Sequence, residues 1–225
     1  MIRVVQSELE QLRDPVKATN MQSYLKTDMP MYGLQKPERA SVERKMHETL
    51  SIDSVDLYRE CVQTLWELPY REEKYLAIDL ALKYKEYITL DTLDLFVNMI
   101  REDYMWWDLC DPISIHLVGG IALHHDLHAK LSAWIRDDNM WIRRAAILAQ
   151  LKHKHETDHV LLFDLCRQRM HEKEFFIRKA IGWALREYSK TDADAVIDFL
   201  NAEKSNLSGL SFREGAKALA KQGRM

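Results

Sequence analysis

Asp111 is the residue of this chain whose type and surroundings most call for a chemical explanation. It stands in MWWDLCDPISIHL, with Trp106 and Trp107 ahead of it and Pro112 behind it. Trp107 precedes it by four residues, so a helix through this stretch puts the indole and the carboxylate on one face. Further along, WIRRAAIL supplies Arg144 and FIRKAIGWALRE supplies Trp183. Trp107, Asp111 and Trp183 brought together would form an aromatic-walled acidic slot. Such a slot suits a flat, positively charged ligand, because cation–π attraction and the carboxylate act in the same direction. A second reading of Asp111 stands beside this one. Followed directly by Pro112, it has the makings of an N-cap to a helix whose first residue is the proline.

The elements that must hold these residues are set by an internal repeat. Ala77, Asp111, Ala145, Ala180 and Ala216 follow one another at spacings of 34, 34, 35 and 36 residues. Four residues before each stand Glu73, Trp107, Trp141, Phe176 and Phe212; four after each stand Ala81, Ile115, Ala149, Ala184 and Ala220. A third column, three after each, reads Leu80, Ser114, Leu148, Trp183 and Leu219. Columns of this kind arise when each unit is a helix pair that cannot bury its own apolar face and must stack on its neighbours. Asp111 breaks the alanine column, and Trp183 breaks a column of leucine and serine. A carboxylate at a close-packed position costs several kcal/mol, on the order of 3–5, unless it is paired or opens on a cleft. Arg144, one residue before the equivalent position of the next unit, is the partner that the repeat provides.

The fold expected is therefore all-α, an α-solenoid of HEAT-like helical repeats with a concave face for binding. One domain is expected over residues 1–225, with N-terminal helices over about 1–68 as a cap and clear repeats over about 69–225. Apolar residues recur at i, i+3, i+4 and i+7, strand-like alternation is nearly absent, and the chain has only seven glycines and five prolines. Hydrophobic residues are 47% and charged residues 30% of the total. That balance provides a core and speaks against a membrane protein, since no apolar run approaches the roughly 20 residues of a bilayer span. The start, MIRVVQSELEQLRD, lacks the apolar region of a signal peptide. Three isolated cysteines without CxxC pairing point to a reduced, cytoplasmic protein rather than a zinc site. His124 and His128, like His153, His155 and His159, have metal-ligand spacing but fall at helix ends or turns, and no metal or other cofactor is expected.

The formal net charge is −3, which by itself disfavours a nucleic-acid partner. The distribution points the other way. Arg143, Arg144, Arg178 and Lys179 recur at the repeat period, with Lys152, Lys154, Arg186, Lys190, Arg213 and Lys217 around them, while many acids lie toward the N-terminal half. A basic stripe at the solenoid period would track a phosphate backbone. The plainer alternative is a solvated face of i,i+4 ion pairs on a protein-interaction scaffold.

The runs MWWDLCDPISIHLVGG, DNMWIRRAAILAQLKHK and EFFIRKAIGWALREYSK together resemble the AlkD-like DNA alkylation repair glycosylases. MPMYGLQKPER is similar to that family's N-terminal motif, and the resemblance extends from QSYLKTDMP to SFREGAKAL. Its most specific parts are WWD-x-x-D and FIRKAIGW. It implies hydrolysis of the N-glycosidic bond of positively charged alkylpurines, notably 3-methyladenine and 7-methylguanine, in double-stranded DNA, as part of base excision repair. It further implies Asp111 as the catalytic carboxylate, Trp107 and Trp183 at the lesion, Arg144 as the active-site cation, and Tyr24 as a contact from an early helix. The lesion is expected to react while still close to the duplex rather than flipped into a pocket. A methylated purine already carries positive charge, so it leaves neutral and needs no general acid. The carboxylate then stabilises the charge that develops on the sugar and orients or deprotonates the attacking water. A monomer acting on DNA is expected. A non-catalytic DNA-binding repeat protein and a protein-interaction scaffold remain as alternatives, since one fold can carry several functions.

Overall fold

All regular structure in the computed structural model, which describes residues 1–225, is helical. The chain forms two compact units, Met1–Leu109 and Cys110–Met225.

The first unit contains α1 (Ile2–Gln11), α2 (Pro15–Leu25), α3 (Lys36–Glu48), α4 (Val55–Glu67), α5 (Arg71–Lys83) and α6 (Leu93–Ile100). Local sequence sets several starts. Asp14 caps α2 by accepting from the backbone of Val16 and Lys17, with Pro15 at the first position, where its missing N–H costs nothing. Helix α1 packs on α3, α3 on α5, and α4 on α5 and α6. The contacts are made by fully buried side chains such as Leu9, Met46, Leu65, Leu76, Leu80 and Phe96.

The start of α5 buries charged residues. In REEKY, Arg71, Glu72, Glu73 and Lys74 are all buried. Glu72 accepts from the backbone N–H groups of Tyr32 (3.0 Å), Gly33 (2.8 Å) and Leu34 (3.0 Å), and so holds the loop between α2 and α3. That loop passes close to α2 only because residue 33 is glycine. Its φ is +88°, and a Cβ there would meet the Asp14 carbonyl oxygen at 2.1 Å. Glu73 accepts from Tyr70 N–H (2.7 Å), Gln6 (3.3 Å) and the Tyr32 hydroxyl (3.3 Å), and burial raises its pKa.

The chain enters the second unit within α7 (Trp107–Pro112), continues through a wide π-helical stretch, Ile113–Val118, and finishes that helix as α8 (Gly119–His124). There follow α9 (His128–Trp134), α10 (Met140–Leu148), α11 (His159–Arg169), α12 (Phe175–Tyr188), α13 (Ala193–Ala202) and α14 (Gly209–Lys221). Asn139, Asp158, Asp192 and Ser208 cap α10, α11, α13 and α14 with their side chains. Helices α10, α12 and α14 stack in that order, while α11 packs on α10 and α13 on α12 and α14. This is the arrangement of helix pairs that the columns require, and Ala145, Ala149, Ala180 and Ala184 are buried at its contacts.

The last column slips by one residue. Ser211, Gly215 and Leu219 are buried, whereas Ala216 and Ala220 are not. The cause is a close approach of α14 to α12: a Cβ on Gly182 would meet the Glu214 Cβ at 2.5 Å, and Gly215 lies against Leu185 and Leu200.

Candidate active site around Asp111

The helix that bears Asp111 is shaped by the proline after it. Pro112 has no N–H to give, and its ring would strike the carbonyl four residues back in a regular helix. The wide turn from Ile113 to Val118 follows directly, an irregularity often found beside functional residues. The Ser114 hydroxyl donates to the Cys110 carbonyl at 2.7 Å, satisfying an acceptor in the disturbed stretch. Asp111 lies inside this helix and not at its N-cap, so the capping alternative is set aside.

Arg144 on α10 meets Asp111 in a two-pronged pair. Its Nε donates to Oδ1 at 2.7 Å and its Nη2 to Oδ2 at 2.9 Å. The remaining nitrogen, Nη1, donates to the Phe176 carbonyl at the start of α12, and the guanidinium stands 5.8 Å from the Phe176 ring centre. Phe176 in turn packs on Trp141, with ring centres 5.0 Å apart. The arginine side chain is 3% exposed and the aspartate 13%. A bidentate guanidinium favours the charged carboxylate, which keeps a small solvent exposure.

Two further contacts seat this helix on α10. Gly119 approaches so closely that a Cβ there would lie 2.4 Å from the Ala149 carbonyl oxygen. The Gly119 carbonyl accepts from Nε2 of His153 at 2.8 Å, which requires the proton on that nitrogen. His153 is buried, and burial lowers its pKa, so the ring is neutral.

Within the first unit, Trp107 is half-buried. Together with Met21 and Trp106 it covers a core of Ala18, Leu25 and Met31. Tyr24 on α2 meets Trp107 edge-on, with ring centres 6.4 Å apart, and is itself 74% exposed. The structure thus brings Tyr24 against Trp107. It also supplies a residue that the reading missed. Asp108 accepts from Arg71 Nη2 at 2.6 Å, from Arg71 Nε at 3.1 Å and from the Tyr75 hydroxyl. Arg71 is wholly buried, and burial pushes the Tyr75 phenol up, so it remains a donor. This network anchors the first turn of α7, from which Trp107 projects. Arg71 lies 37 residues before Asp108, off the 34–36-residue period and in the opposite order to Asp111 and Arg144, so the columns do not point to it.

Trp183 is half-buried on α12, seven residues beyond Phe176. Two helical turns separate them, on the same side of the helix and about 10 Å along it. Arg143 turns away from the Asp111 pair. It binds Glu172 at 2.6 and 3.2 Å and the carbonyls of Asp137 and Asp138 at 2.8 Å each. Arg178 donates from Nε to the Glu172 carbonyl at 2.9 Å, and Lys179 pairs with Glu214 at 2.8 Å. Of the four basic residues singled out, Arg144 joins Asp111, and the other three pair with Glu172, the carbonyls of Asp137 and Asp138, and Glu214. No group of three or more His, Cys, Asp or Glu side chains is placed to hold a metal ion.

A helical-repeat chain with an arginine-paired aspartate in place of a packing alanine defines the class. A family model described as "DNA alkylation repair enzyme" matches residues 5–219, and the chain belongs to that family. Among solved structures it is similar to one described as "Predicted DNA alkylation repair enzyme from Enterococcus faecalis". The two share 31% sequence identity over 93% of this chain and 97% of that one, with a TM-score of 0.82. No curated protein gives a significant match. The role of the chain therefore lies in the repair of alkylated DNA.

Proposed function

We propose that this protein is a monofunctional DNA glycosylase that hydrolyses the N-glycosidic bond of positively charged alkylpurines, such as 3-methyladenine and 7-methylguanine, in duplex DNA. The observation that carries the reading is the Asp111–Arg144 pair, a carboxylate held in one orientation at 2.7 and 2.9 Å at a position where the repeat otherwise packs alanine. In the proposed step the C1′–N bond breaks and its electron pair goes to the purine, which leaves as a neutral base. Positive charge develops on the deoxyribose and is stabilised by the Asp111 carboxylate at its side. Water then adds to C1′ and gives up a proton to Asp111 or to solvent. Arg144 is the positioning residue that keeps the carboxylate charged and aimed. Trp107, four residues ahead of Asp111 on α7, together with Tyr24 and Trp183, is assigned to the lesion and its sugar, where aromatic faces favour a cationic ring.

The test is release of free bases from methylated duplex DNA, resolved by chromatography and mass spectrometry. Appearance of 3-methyladenine and 7-methylguanine supports the glycosylase. Salt-dependent binding of the duplex with no base released replaces it with a non-catalytic DNA-binding protein. The absence of both leaves a protein-interaction scaffold.

A further inference from the structure

Phe175, the first residue of α12, leaves 57% of its surface exposed. A single exposed phenylalanine is ordinary on a protein surface; the company of this one is not. Its ring meets Phe176 edge-on at 5.4 Å, and Phe176 holds Arg144 through both its carbonyl and its ring. An α-helix turns about 100° per residue, so Phe175, Phe176, Lys179, Trp183 and Arg186 share about 100° of arc on α12. The opposite side is the buried one, with Ile177, Ile181 and Leu185. The open face of α12 is thus aromatic and cationic. Glu214 bridges Lys179 and Arg186, so the three carry one net positive charge.

We propose that Phe175 is a DNA-contacting residue that stacks on a base or sugar left unpaired at the damaged position, and that it sets affinity rather than the rate of bond cleavage. The proposal rests on the glycosylase reading of the same face. A ring that stacks on any base needs no hydrogen-bond partner. Alternation of such rings with cations is the pattern that holds an unstacked nucleotide and its phosphate. No duplex base is available to Phe175 while fully stacked, so an interrupted duplex is the ligand that this arrangement favours.

The decisive measurement is binding to two labelled duplexes, one intact and one with a tetrahydrofuran abasic-site analogue. The proteins are Asp111→Asn, chosen to slow turnover and checked for folding by circular dichroism, and the same variant carrying Phe175→Ala or Phe175→Trp. Phe175→Ala should weaken binding to the interrupted duplex by about ten-fold or more, as expected for loss of one base–aromatic stack. It should weaken intact duplex binding less, and Phe175→Trp should restore the difference. In the parent enzyme, Phe175→Ala should raise KM and leave kcat unchanged. Equal binding of Phe175→Ala and its parent to the interrupted duplex, with an unchanged thermal midpoint, overturns the proposal. The two readings separate cleanly. Failure of the wild type to release bases removes the glycosylase, while the binding comparison still decides Phe175.

Discussion

Arg144→Met removes one partner of the central pair and keeps nearly the same unbranched stem. The side chain loses its bonds to Asp111 at 2.7 and 2.9 Å and its bond to the Phe176 carbonyl. Breaking a buried ion pair from one side costs about 3–5 kcal/mol, because the remaining charge is stranded. Asp111 is still 13% exposed, so water relieves part of that cost, and the lower end, about 3 kcal/mol, is expected. For a chain of this size that corresponds to a fall of about 6–12 °C in Tm. Asp111→Leu combined with Arg144→Met removes the stranded charge. Apolar replacement of both partners is far less costly than removal of one. The double variant should therefore recover about 2 kcal/mol of coupling relative to the summed single effects. It stays below the wild type because the Arg144 hydrogen bond to the Phe176 carbonyl is lost. Urea titrations followed by circular dichroism of the four proteins give the cycle. Additive losses would show that the pair carries no coupling energy and would refute the account of how Asp111 is held.

The other expectations concern the seat of the Asp111 helix. His153 has a folded pKa below its ordinary 6.5, so the unfolded chain binds more protons in the interval between the two values. Its contribution to stability is complete above about pH 6.5 and is lost progressively as the pH falls below that. His153→Gln keeps an amide donor for the Gly119 carbonyl and should flatten the dependence of the urea midpoint between about pH 7.5 and 5.5. His47, also shifted down by burial, contributes a slope of the same sign. Gly119→Ala would place a methyl group 2.4 Å from the Ala149 carbonyl oxygen. It should cost about 1–3 kcal/mol in the same assay, and a base-release assay should show reduced kcat, because the helix bearing Asp111 is moved against α10.

Much of this was legible in the sequence because stacking imposes a period on packing residues. The alanine column located Asp111 as the exception, and the same period named Arg144 as its partner. The second arginine–carboxylate pair, Arg71 with Asp108, falls outside the alanine column and its period, so the columns did not point to it. Only the fold shows that Glu72 and Glu73 serve the backbone of the loop at Tyr32–Leu34 and a tyrosine hydroxyl. The slip from Ala216 to Gly215 was invisible for a related reason. Either small residue satisfies the column, and the choice is made by Gly182 drawing α14 close. Charge runs hid the fate of the basic residues too, since Arg143, Lys179 and Arg186 each find an acid one helix away.

The central claim is that the Asp111 carboxylate stabilises the charge that develops when a cationic purine leaves. Single-turnover release of 3-methyladenine and 7-methylguanine from methylated duplex DNA, by the wild type and by Asp111→Asn at equal occupancy, tests it most directly. The account predicts release by the wild type and a loss of at least about 100-fold in rate for the variant, the scale of removing one preorganised electrostatic group, with duplex binding retained. Release at the same rate by both proteins would contradict it.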